Sequence, residues 1–350
     1  MSVRIHRVAK ALPQHFRSTA EIIPYFDSWL KGQDDRFIKK AKKIFEGAAV
    51  EQRYSIMSPE LIFSDITFEE RNQIYAKETV KLGKACLGDA LRKAEWEPES
   101  IDFIITVSCT GIMIPSLDAF LINELHLRQD IVRLPVTEMG CAAGISGLIY
   151  AFNFLKANPE SRAALIAVES PTATFQVKDF AMANIVSAAM FGDGASCVLL
   201  SSHTSDKGPE ILGGEMFHFY NAEHMMGFKL RNTGLEMVLD PDVPETIAKH
   251  FADIIYPFLK KYGQGIEDIK QLIFHPGGKK IMQLVEELFA SSGKNINETR
   301  NIMRLYGNMS SATVLYVLEE FMRLPPPDGD KSLMLSFGPG FSAQRILLNW

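Results

Sequence analysis

The strongest constraint on the fold is a series of landmarks that occurs twice along the chain in the same order. In each half, a long helical pattern precedes a buried strand, then a helix that opens with small residues, then a Phe-Gly-x-Gly turn before another strand. The paired landmarks are helix 68–95 with helix 244–262, strand 102–108 with strand 271–274, Cys141 with Asn308, and Phe191-Gly-Asp-Gly with Phe337-Gly-Pro-Gly. The order of elements repeats although the residues differ. The sequence therefore predicts an internal duplication of an α/β unit.

A short polar stretch separates the two units. Residues 202–209 contain Ser, His, Thr, Asp, Lys, Gly and Pro, which is typical of a linker. We therefore expect an N-terminal half over residues 1–203, which carries Cys141, and a C-terminal half over residues 204–350. A chain of 350 residues is long enough to bury a large core.

Composition limits the partners. The net charge of −5 gives no overall basic field for nucleic acid. No apolar run reaches the length of a membrane span. Four scattered cysteines without a C-x-x-C pair argue against a disulfide framework or a zinc ribbon, so we expect a cytoplasmic protein with no metal site.

Cys141 is the first candidate catalytic residue. It lies where the β-prone run ending at Val136 gives way to a helical pattern that begins near Ala142. A thiol at a helix N-terminus is close to unpaired N–H groups and the positive end of the helix dipole, both of which favour the nucleophilic thiolate. The alternative is a buried structural cysteine, which is the common role of a free thiol.

The duplication supplies two possible partners for this thiol. Asn308 occupies the position in the second half that Cys141 occupies in the first, and His275 follows strand 271–274. If the halves pack pseudo-symmetrically, Cys141, His275 and Asn308 face one crevice. Alternatively, His275 is a loop or core histidine and Asn308 is a helix N-cap, for which asparagine is favoured.

Several motifs along the chain resemble those of the type III polyketide synthases, the relatives of chalcone synthase within the thiolase-like superfamily. The matching strings are Met139-Gly-Cys-Ala-Ala-Gly, Phe191-Gly-Asp-Gly-Ala, Gly234-Leu with Asp242-Val-Pro, His275-Pro-Gly-Gly, Tyr306-Gly-Asn-Met-Ser-Ser-Ala and Phe337-Gly-Pro-Gly. Their order and approximate spacing agree with the family over nearly the whole chain. Ketoacyl-ACP synthase III shares the three-residue site, but the His275 and Asn308 strings favour the polyketide branch.

The resemblance implies a duplicated, five-layered αβαβα core and a homodimer. It also implies an enzyme that uses acyl-CoA and malonyl-CoA as substrates, with no metal or redox cofactor and no carrier protein. In that scheme Cys141 receives the acyl group of the starter. His275 pairs with the thiolate, and His275 and Asn308 donate hydrogen bonds to the thioester oxygen of malonyl-CoA during decarboxylation.

The resemblance further implies a substrate pocket beside Cys141. Its expected members are a gate aromatic, Phe191, a methionine where plant enzymes have a second gate phenylalanine, and further wall residues. The full set is Phe191, Met237, Cys109, Ile114, Thr174, Phe228, Ser310 and Phe337. Ile114 aligns with a residue that reaches into the cavity of a neighbouring subunit. A flexible methionine at position 237 suits long aliphatic chains.

The residues that bind CoA are the least defined by the motifs. Arg53 is the best match to the basic rim of the family, and Lys279 and Lys280 after the histidine loop are further candidates. The starter, the number of extensions and the product stay open, with an alkylpyrone or alkylresorcinol and a small polyhydroxy aromatic as the alternatives. A ketoacyl-ACP synthase that requires a carrier protein is the competing function.

Overall fold

The structure, a computed structural model, describes residues 2–290 and 293–350. The strands are β1 (Arg4–Ala11), β2 (His15–Ser18), β3 (Gln52–Ser55), β4 (Phe103–Val107), β5 (Val132–Val136), β6 (Arg162–Glu169), β7 (Gly194–Ser201), β8 (Glu210–His218), β9 (Met226–Arg231), β10 (Gly234–Leu239), β11 (Ile269–Phe274), β12 (Lys331–Gly338) and β13 (Ser342–Asn349). The α-helices are α1 (Thr19–Trp29), α2 (Asp35–Gly47), α3 (Pro59–Ile62), α4 (Phe68–Ala94), α5 (Leu117–Glu124), α6 (Ala143–Ala157), α7 (Met182–Met190), α8 (Val243–Lys261), α9 (Lys279–Phe289), α10 (Asn297–Tyr306) and α11 (Thr313–Arg323).

Nine strands form one mixed sheet in the order β11-β12-β13-β8-β1-β7-β6-β4-β5. In the first half β4 runs parallel to β6, while β6 with β7 and β7 with β1 are antiparallel. In the second half β11 runs parallel to β12, while β12 with β13 and β13 with β8 are antiparallel. The two halves thus repeat the same strand order and directions. The predicted duplicated α/β fold is confirmed, and the boundary at residue 203 stays a prediction.

Alternating side chains of the sheet define the layers. Ile104 of β4 and Ile166 of β6 pack with α4 and α5 on one face, while Ile105 and Leu165 pack with α6 and α11 on the other. In the second half, strand side chains on one face of the sheet pack against the central helices α6 and α11. Those on the other face pack against an outer pair, α8 and α9. Because successive strand residues point to opposite faces, each half-sheet is covered on both sides, which gives five layers.

Local sequence explains where the longest helix begins and ends. Thr67 and Glu70 form a capping box at the start of α4, which satisfies two backbone N–H groups at that end. Glu95 follows in the left-handed conformation, and Pro98 comes shortly after it. The predicted helix over 68–95 therefore matches the observed one closely.

Two regions of the structure differ from the sequence-based expectation. The helix predicted over 177–190 is helical only from Met182, because the Asn184 amide donates to the carbonyls of Gln176 and Asp179 and holds the preceding segment as a loop. The hairpin formed by β9 and β10 was not predicted. Within the described residues, none of the helices is both long and apolar enough to cross a membrane.

Candidate active site

The three candidate catalytic residues line one cavity. Cys141 comes from the first half of the chain, and His275 and Asn308 come from the second half. The duplication thus brings together residues that are far apart in sequence.

Cys141 lies in a 3₁₀ turn, Gly140–Ala142, immediately before α6. Close backbone approach holds this turn against the second half. A Cβ atom added at Gly338 would lie 2.5 Å from the Cβ of Ala142, and one added at Gly144 would lie 2.3 Å from the carbonyl oxygen of Ser311. Larger residues at either position would push the turn away from the second half.

Asn308 is held by its backbone and by its side-chain oxygen. Its N–H donates to the carbonyl of Met190 at 2.8 Å, and its own carbonyl accepts from the N–H of Gly192 at 3.1 Å. Its Oδ1 accepts from the N–H of Ser310 at 2.8 Å. Because the oxygen is engaged in this way, the amide NH₂ group is left to face the cavity. Burial raises the pKa of the Cys141 thiol there, and a hydrogen bond from Asn308 offsets a small part of that rise.

His275 directly follows β11, and its N–H donates to the carbonyl of Leu335 at 3.0 Å. Its side chain is buried, with 2% of the residue exposed. Neither ring nitrogen hydrogen-bonds to a protein group in the described part of the chain, and burial lowers the pKa of the ring to about 3. Both nitrogens are therefore available to a bound substrate.

The Cys141 thiol contacts Ser310 rather than the imidazole. Its Sγ lies 3.6 Å from the Ser310 hydroxyl oxygen, and burial raises the pKa of the thiol to about 12. The hydrogen bond expected between Cys141 and His275 is absent from this structure. With the thiol pKa raised and the ring pKa lowered, both groups are neutral, and charge separation requires a proton to pass between them.

Most of the predicted pocket residues line the same cavity. They are Phe191, Met237, Cys109, Phe228, Ser310 and Phe337. The cavity also includes residues that the sequence did not indicate: Met190, Met226, Leu239 and Ile281. Three of the wall residues are methionines, contributed by α7 and by the β9–β10 hairpin, which the sequence analysis did not predict.

Two predicted pocket residues lie elsewhere. Thr174 lines a second cavity and not the one with Cys141, and its role in a substrate pocket stays a prediction. Ile114 is 94% exposed and does not line the cavity of its own chain. Its predicted reach into the cavity of a neighbouring subunit stays a prediction.

Arg53 is not part of an exposed CoA-binding rim, and that prediction is wrong. The residue is only 5% exposed, and its guanidinium donates to the carbonyls of Ala188, Ala189 and Phe191. It forms no ion pair with a described carboxylate, and burial lowers its pKa to about 10. Arg53 therefore fixes the end of α7. In contrast, Lys279 and Lys280 are exposed at the start of α9, between cavity residues Gly277 and Ile281.

Glu169, a fully buried carboxylate near the cavity, was not identified from the sequence. It accepts from the N–H of Cys109 at 3.0 Å and from the hydroxyls of Thr110 and Ser311 at 2.9 and 2.5 Å. Burial raises its pKa. A lone acid at the end of the apolar strand 162–168 was the feature that could have indicated it.

Across residues 2–290 and 293–350, no three histidine, cysteine or acidic side chains are placed to hold a metal ion. The four cysteines are all free thiols.

The duplicated five-layered fold is that of a thiolase-like protein. Comparison with protein families gives the narrower class: residues 3–204 match the N-terminal domain of chalcone and stilbene synthases, and residues 216–349 match the C-terminal domain. The chain belongs to the chalcone and stilbene synthase family, and it is a type III polyketide synthase, a decarboxylative condensing acyltransferase.

Individual relatives support the same assignment. The chain is 31% identical to 1,3,6,8-tetrahydroxynaphthalene synthase of Streptomyces peucetius, an alignment that covers 98% of this chain and 92% of that protein. It is 28% identical to phloroglucinol synthase of Pseudomonas fluorescens, with coverage of 97% and 96%. The crystal structure of 1,3,6,8-tetrahydroxynaphthalene synthase from Streptomyces coelicolor superimposes with a TM-score of 0.92 at 26% identity and 99% coverage of both chains.

Proposed function

We propose that this chain loads an acyl group from a CoA thioester onto Cys141, extends it repeatedly with malonyl-CoA, and cyclises the product. The observation that carries the proposal is the single cavity in which the Cys141 thiol, the unpartnered His275 ring and the oriented Asn308 amide meet. This set combines a nucleophile, a proton acceptor and a hydrogen-bond donor.

In the loading step the thiol proton passes to His275, and the thiolate attacks the thioester carbonyl of the starter. The carbon–sulfur bond to CoA breaks, and the CoA thiolate leaves and takes up the proton. Because Cys141 and His275 are both buried, the pair becomes charged only together, with each charge offsetting the desolvation of the other.

In the extension step malonyl-CoA loses CO₂, and the electron pair of the broken bond moves onto the thioester oxygen as an enolate. Donors from His275 and Asn308 stabilise this oxygen, since they interact more strongly with the developing charge than with the neutral carbonyl. The enolate carbon then attacks the acyl carbonyl on Cys141 and releases the thiolate. The lengthened chain, now on CoA, can return to Cys141 for another round.

We propose an alkylpyrone or alkylresorcinol as the product. The methionines Met190, Met226 and Met237 give the cavity a flexible, apolar wall that suits an aliphatic starter. A small polyhydroxy aromatic made from malonyl units alone is the second candidate, because relatives are named as tetrahydroxynaphthalene and phloroglucinol synthases.

For the CoA moiety we propose Lys279 and Lys280 as contacts for phosphate. They are exposed next to the cavity, where cations can meet an anionic ligand without first being desolvated. Charge reversal at Lys279 should raise the KM for malonyl-CoA with less effect on kcat, as expected when an interaction binds ground state and transition state equally.

We also propose that the chain acts as a homodimer in the cytoplasm. Strand β5 is an edge of the nine-stranded sheet, and apolar side chains are exposed around it: Ile112, Ile114, Phe120 and Val132. An open edge with exposed apolar residues is suited to pairing with a second copy. The free cysteines agree with a reducing compartment.

Mass spectrometry of reaction products tests the proposed function. The enzyme is incubated with malonyl-CoA and a panel of acyl-CoA starters, without a carrier protein. Pyrone or resorcinol masses that increase with the starter support the aliphatic product, and one product independent of the starter supports the malonyl-primed aromatic. Product formation only when an acyl carrier protein is added would favour the ketoacyl-ACP synthase alternative.

A further inference from the structure

Strands β2 and β3 place two arginines directly opposite each other. Arg17 pairs with Arg53 in the antiparallel register of these strands. Both side chains line the second cavity, the one that is also lined by Thr174. Directly opposed side chains of an antiparallel pair lie on the same face, where like charges are destabilising. A negative charge between the two guanidinium groups would relieve this repulsion.

Arg53 has no negatively charged partner among the described residues. Its two Nη groups donate to the carbonyls of Ala188, Ala189 and Phe191, which carry no net charge. The ring of Phe45 lies 5.3 Å from its Cζ atom and offsets only part of the cost of burying the cation. The Nε–H group is buried and has no hydrogen-bond partner in the described part of the chain. Because buried donors are almost always satisfied, this group indicates a ligand that carries an acceptor.

Arg17 is partly exposed and keeps several donors for a ligand. One of its N–H groups donates to a backbone carbonyl of its own strand at 2.6 Å, and the others bind no described residue. Glu21 and Glu60 are close enough to interact with its charge, but neither forms an ion pair with it. The carboxylate of Glu21 accepts from Ser18. That of Glu60 accepts from the Tyr25 hydroxyl.

The rest of the wall is largely apolar. Its hydrocarbon side chains include Ile22, Ile62, Phe63 and Phe175. The rings of Phe63 and Phe175 pack edge to face, with centroids 5.2 Å apart. None of the described residues along the wall is acidic. Guanidinium donors beside hydrocarbon suit an organic carboxylate, whose apolar body contacts the side chains. A phosphate dianion would need more donors to offset its desolvation and would leave the apolar wall unused.

We propose that the second cavity binds an organic carboxylate from solution. The carboxylate oxygens accept from the Nε–H of Arg53 and from the free N–H groups of Arg17, and the apolar body packs against Phe63 and Phe175. The opposed arginines and the unpartnered Nε are the observations that carry this inference. It goes beyond the proposed acyl loading at Cys141, because the acid stays free and no covalent bond forms.

Benzoate is the probe, because it joins a carboxylate to a flat apolar ring. Isothermal titration calorimetry on the full chain measures its Kd. Benzyl alcohol serves as the neutral analogue, and inorganic phosphate serves as the anion without an apolar body. Benzoate should bind about tenfold or more tightly than either, since hydrogen bonds to charged groups are the stronger ones. An affinity for benzoate no higher than that for either analogue would overturn the proposal.

Arg17→Gln removes one of the two charges, and the Kd for benzoate should rise about tenfold or more. Arg17→Lys keeps the charge without the forked donors and should give an intermediate Kd. Ile62→Glu adds a negative charge to the wall, should weaken benzoate in the same direction, and serves if Arg17→Gln does not fold. The matched control is Arg36→Gln, at an exposed position on α2, which should bind benzoate as the wild type does. Wild-type affinity in both Arg17→Gln and Ile62→Glu would overturn the proposal.

Alkylation of Cys141 shows which cavity the acid occupies. Enzyme blocked with iodoacetamide should bind benzoate with the wild-type Kd, because Cys141 does not line the second cavity. Binding that is lost on alkylation and kept in Arg17→Gln would place the acid in the first cavity and overturn the inference. Benzoate binding without any acyl loading at Cys141 would support the inference and contradict the proposed function alone.

Discussion

At the scale of single residues, the chemistry depends on a thiol and an imidazole that are neutral when considered separately. Burial raises the pKa of Cys141 to about 12 and lowers that of His275 to about 3. Neither group can ionise alone without a large desolvation cost. In the proposed loading step, nucleophilic attack therefore depends on proton transfer within the pair when a thioester binds.

The nucleophile can be identified by substitution. Cys141→Ala should abolish the acyl adduct seen by intact-protein mass after incubation with an acyl-CoA, because no other thiol occupies the turn before α6. Cys109→Ala is the matched control, since that thiol lines the same cavity, with its Sγ 3.5 Å from the Ser310 hydroxyl oxygen. An adduct that persists in Cys141→Ala and disappears in Cys109→Ala would assign the nucleophile to Cys109.

The role of His275 should appear in the pH dependence of thiol alkylation. In His275→Ala the buried thiol keeps a raised pKa and has no proton acceptor. Below its pKa the thiolate fraction falls about tenfold per pH unit. Alkylation of Cys141 by iodoacetamide at pH 7 should thus be slower than in the wild type and should still be rising at pH 9.

The control for this measurement is His218→Ala, which removes an exposed histidine. Its alkylation profile should coincide with that of the wild type. If the profile of His275→Ala coincided as well, His275 would not be the proton acceptor.

The sequence identified some residues better than others, for a physical reason. Cys141, His275 and Asn308 stand at the junctions of predictable elements, so their positions follow from topology. For Arg53 and Thr174, the position along the chain was clear from the sequence, but the burial of the side chain was not. Their burial depends on how α7 and the 3₁₀ turn Pro171–Thr174 pack against β3.

At the scale of secondary-structure elements, the end of α7 depends on a buried cation. Arg53→Met should lower the free energy of unfolding by about 2–4 kcal/mol, because it leaves buried carbonyls without donors. Urea denaturation measures the change. The KM for malonyl-CoA should stay near that of the wild type, since Arg53 does not reach the surface beside the cavity.

Arg36→Met is the control, as Arg36 is exposed on α2. Its free energy of unfolding should change by no more than about 0.5 kcal/mol. Equal stability of Arg53→Met and wild type, together with a raised KM, would restore the CoA-binding role that the sequence suggested for Arg53.

The helices and strands also show where hydrophobic periodicity was sufficient to predict an element and where it was not. Helix α4 has a capping box, a left-handed end residue and a following proline, so its bounds were predictable. The β9–β10 hairpin lies at the cavity, and its residues are largely half-exposed. The alternation of apolar and polar residues in this hairpin is therefore weak. The hairpin nevertheless supplies Met226, Phe228 and Met237 to the wall of the cavity that contains Cys141.

At the scale of the whole molecule, the open β5 edge predicts a dimer. Val132→Lys places a charge among the exposed apolar residues at this edge, and the expected result is a shift towards monomer in size-exclusion chromatography with light scattering. Leu230→Lys, at a 65% exposed position on the β9–β10 hairpin, is the matched control and should not change the molecular mass. A monomeric wild type would contradict the proposed assembly.

The duplication is the feature of the whole chain that the sequence showed most directly. The repeated order of landmarks corresponds to two sets of strands with the same directions. The second cavity could not be foreseen, because it depends on the packing of α1, α3 and α7, which are distant in sequence.

In the proposed mechanism, groups from both halves act together on malonyl-CoA in one cavity. The release of CO₂ from malonyl-CoA by Asn308→Ala tests this most directly, in enzyme whose Cys141 is shown by intact mass still to accept an acyl group. Loss of one donor to the enolate oxygen should slow decarboxylation by about 100- to 1000-fold. Decarboxylation at the wild-type rate would contradict the claim.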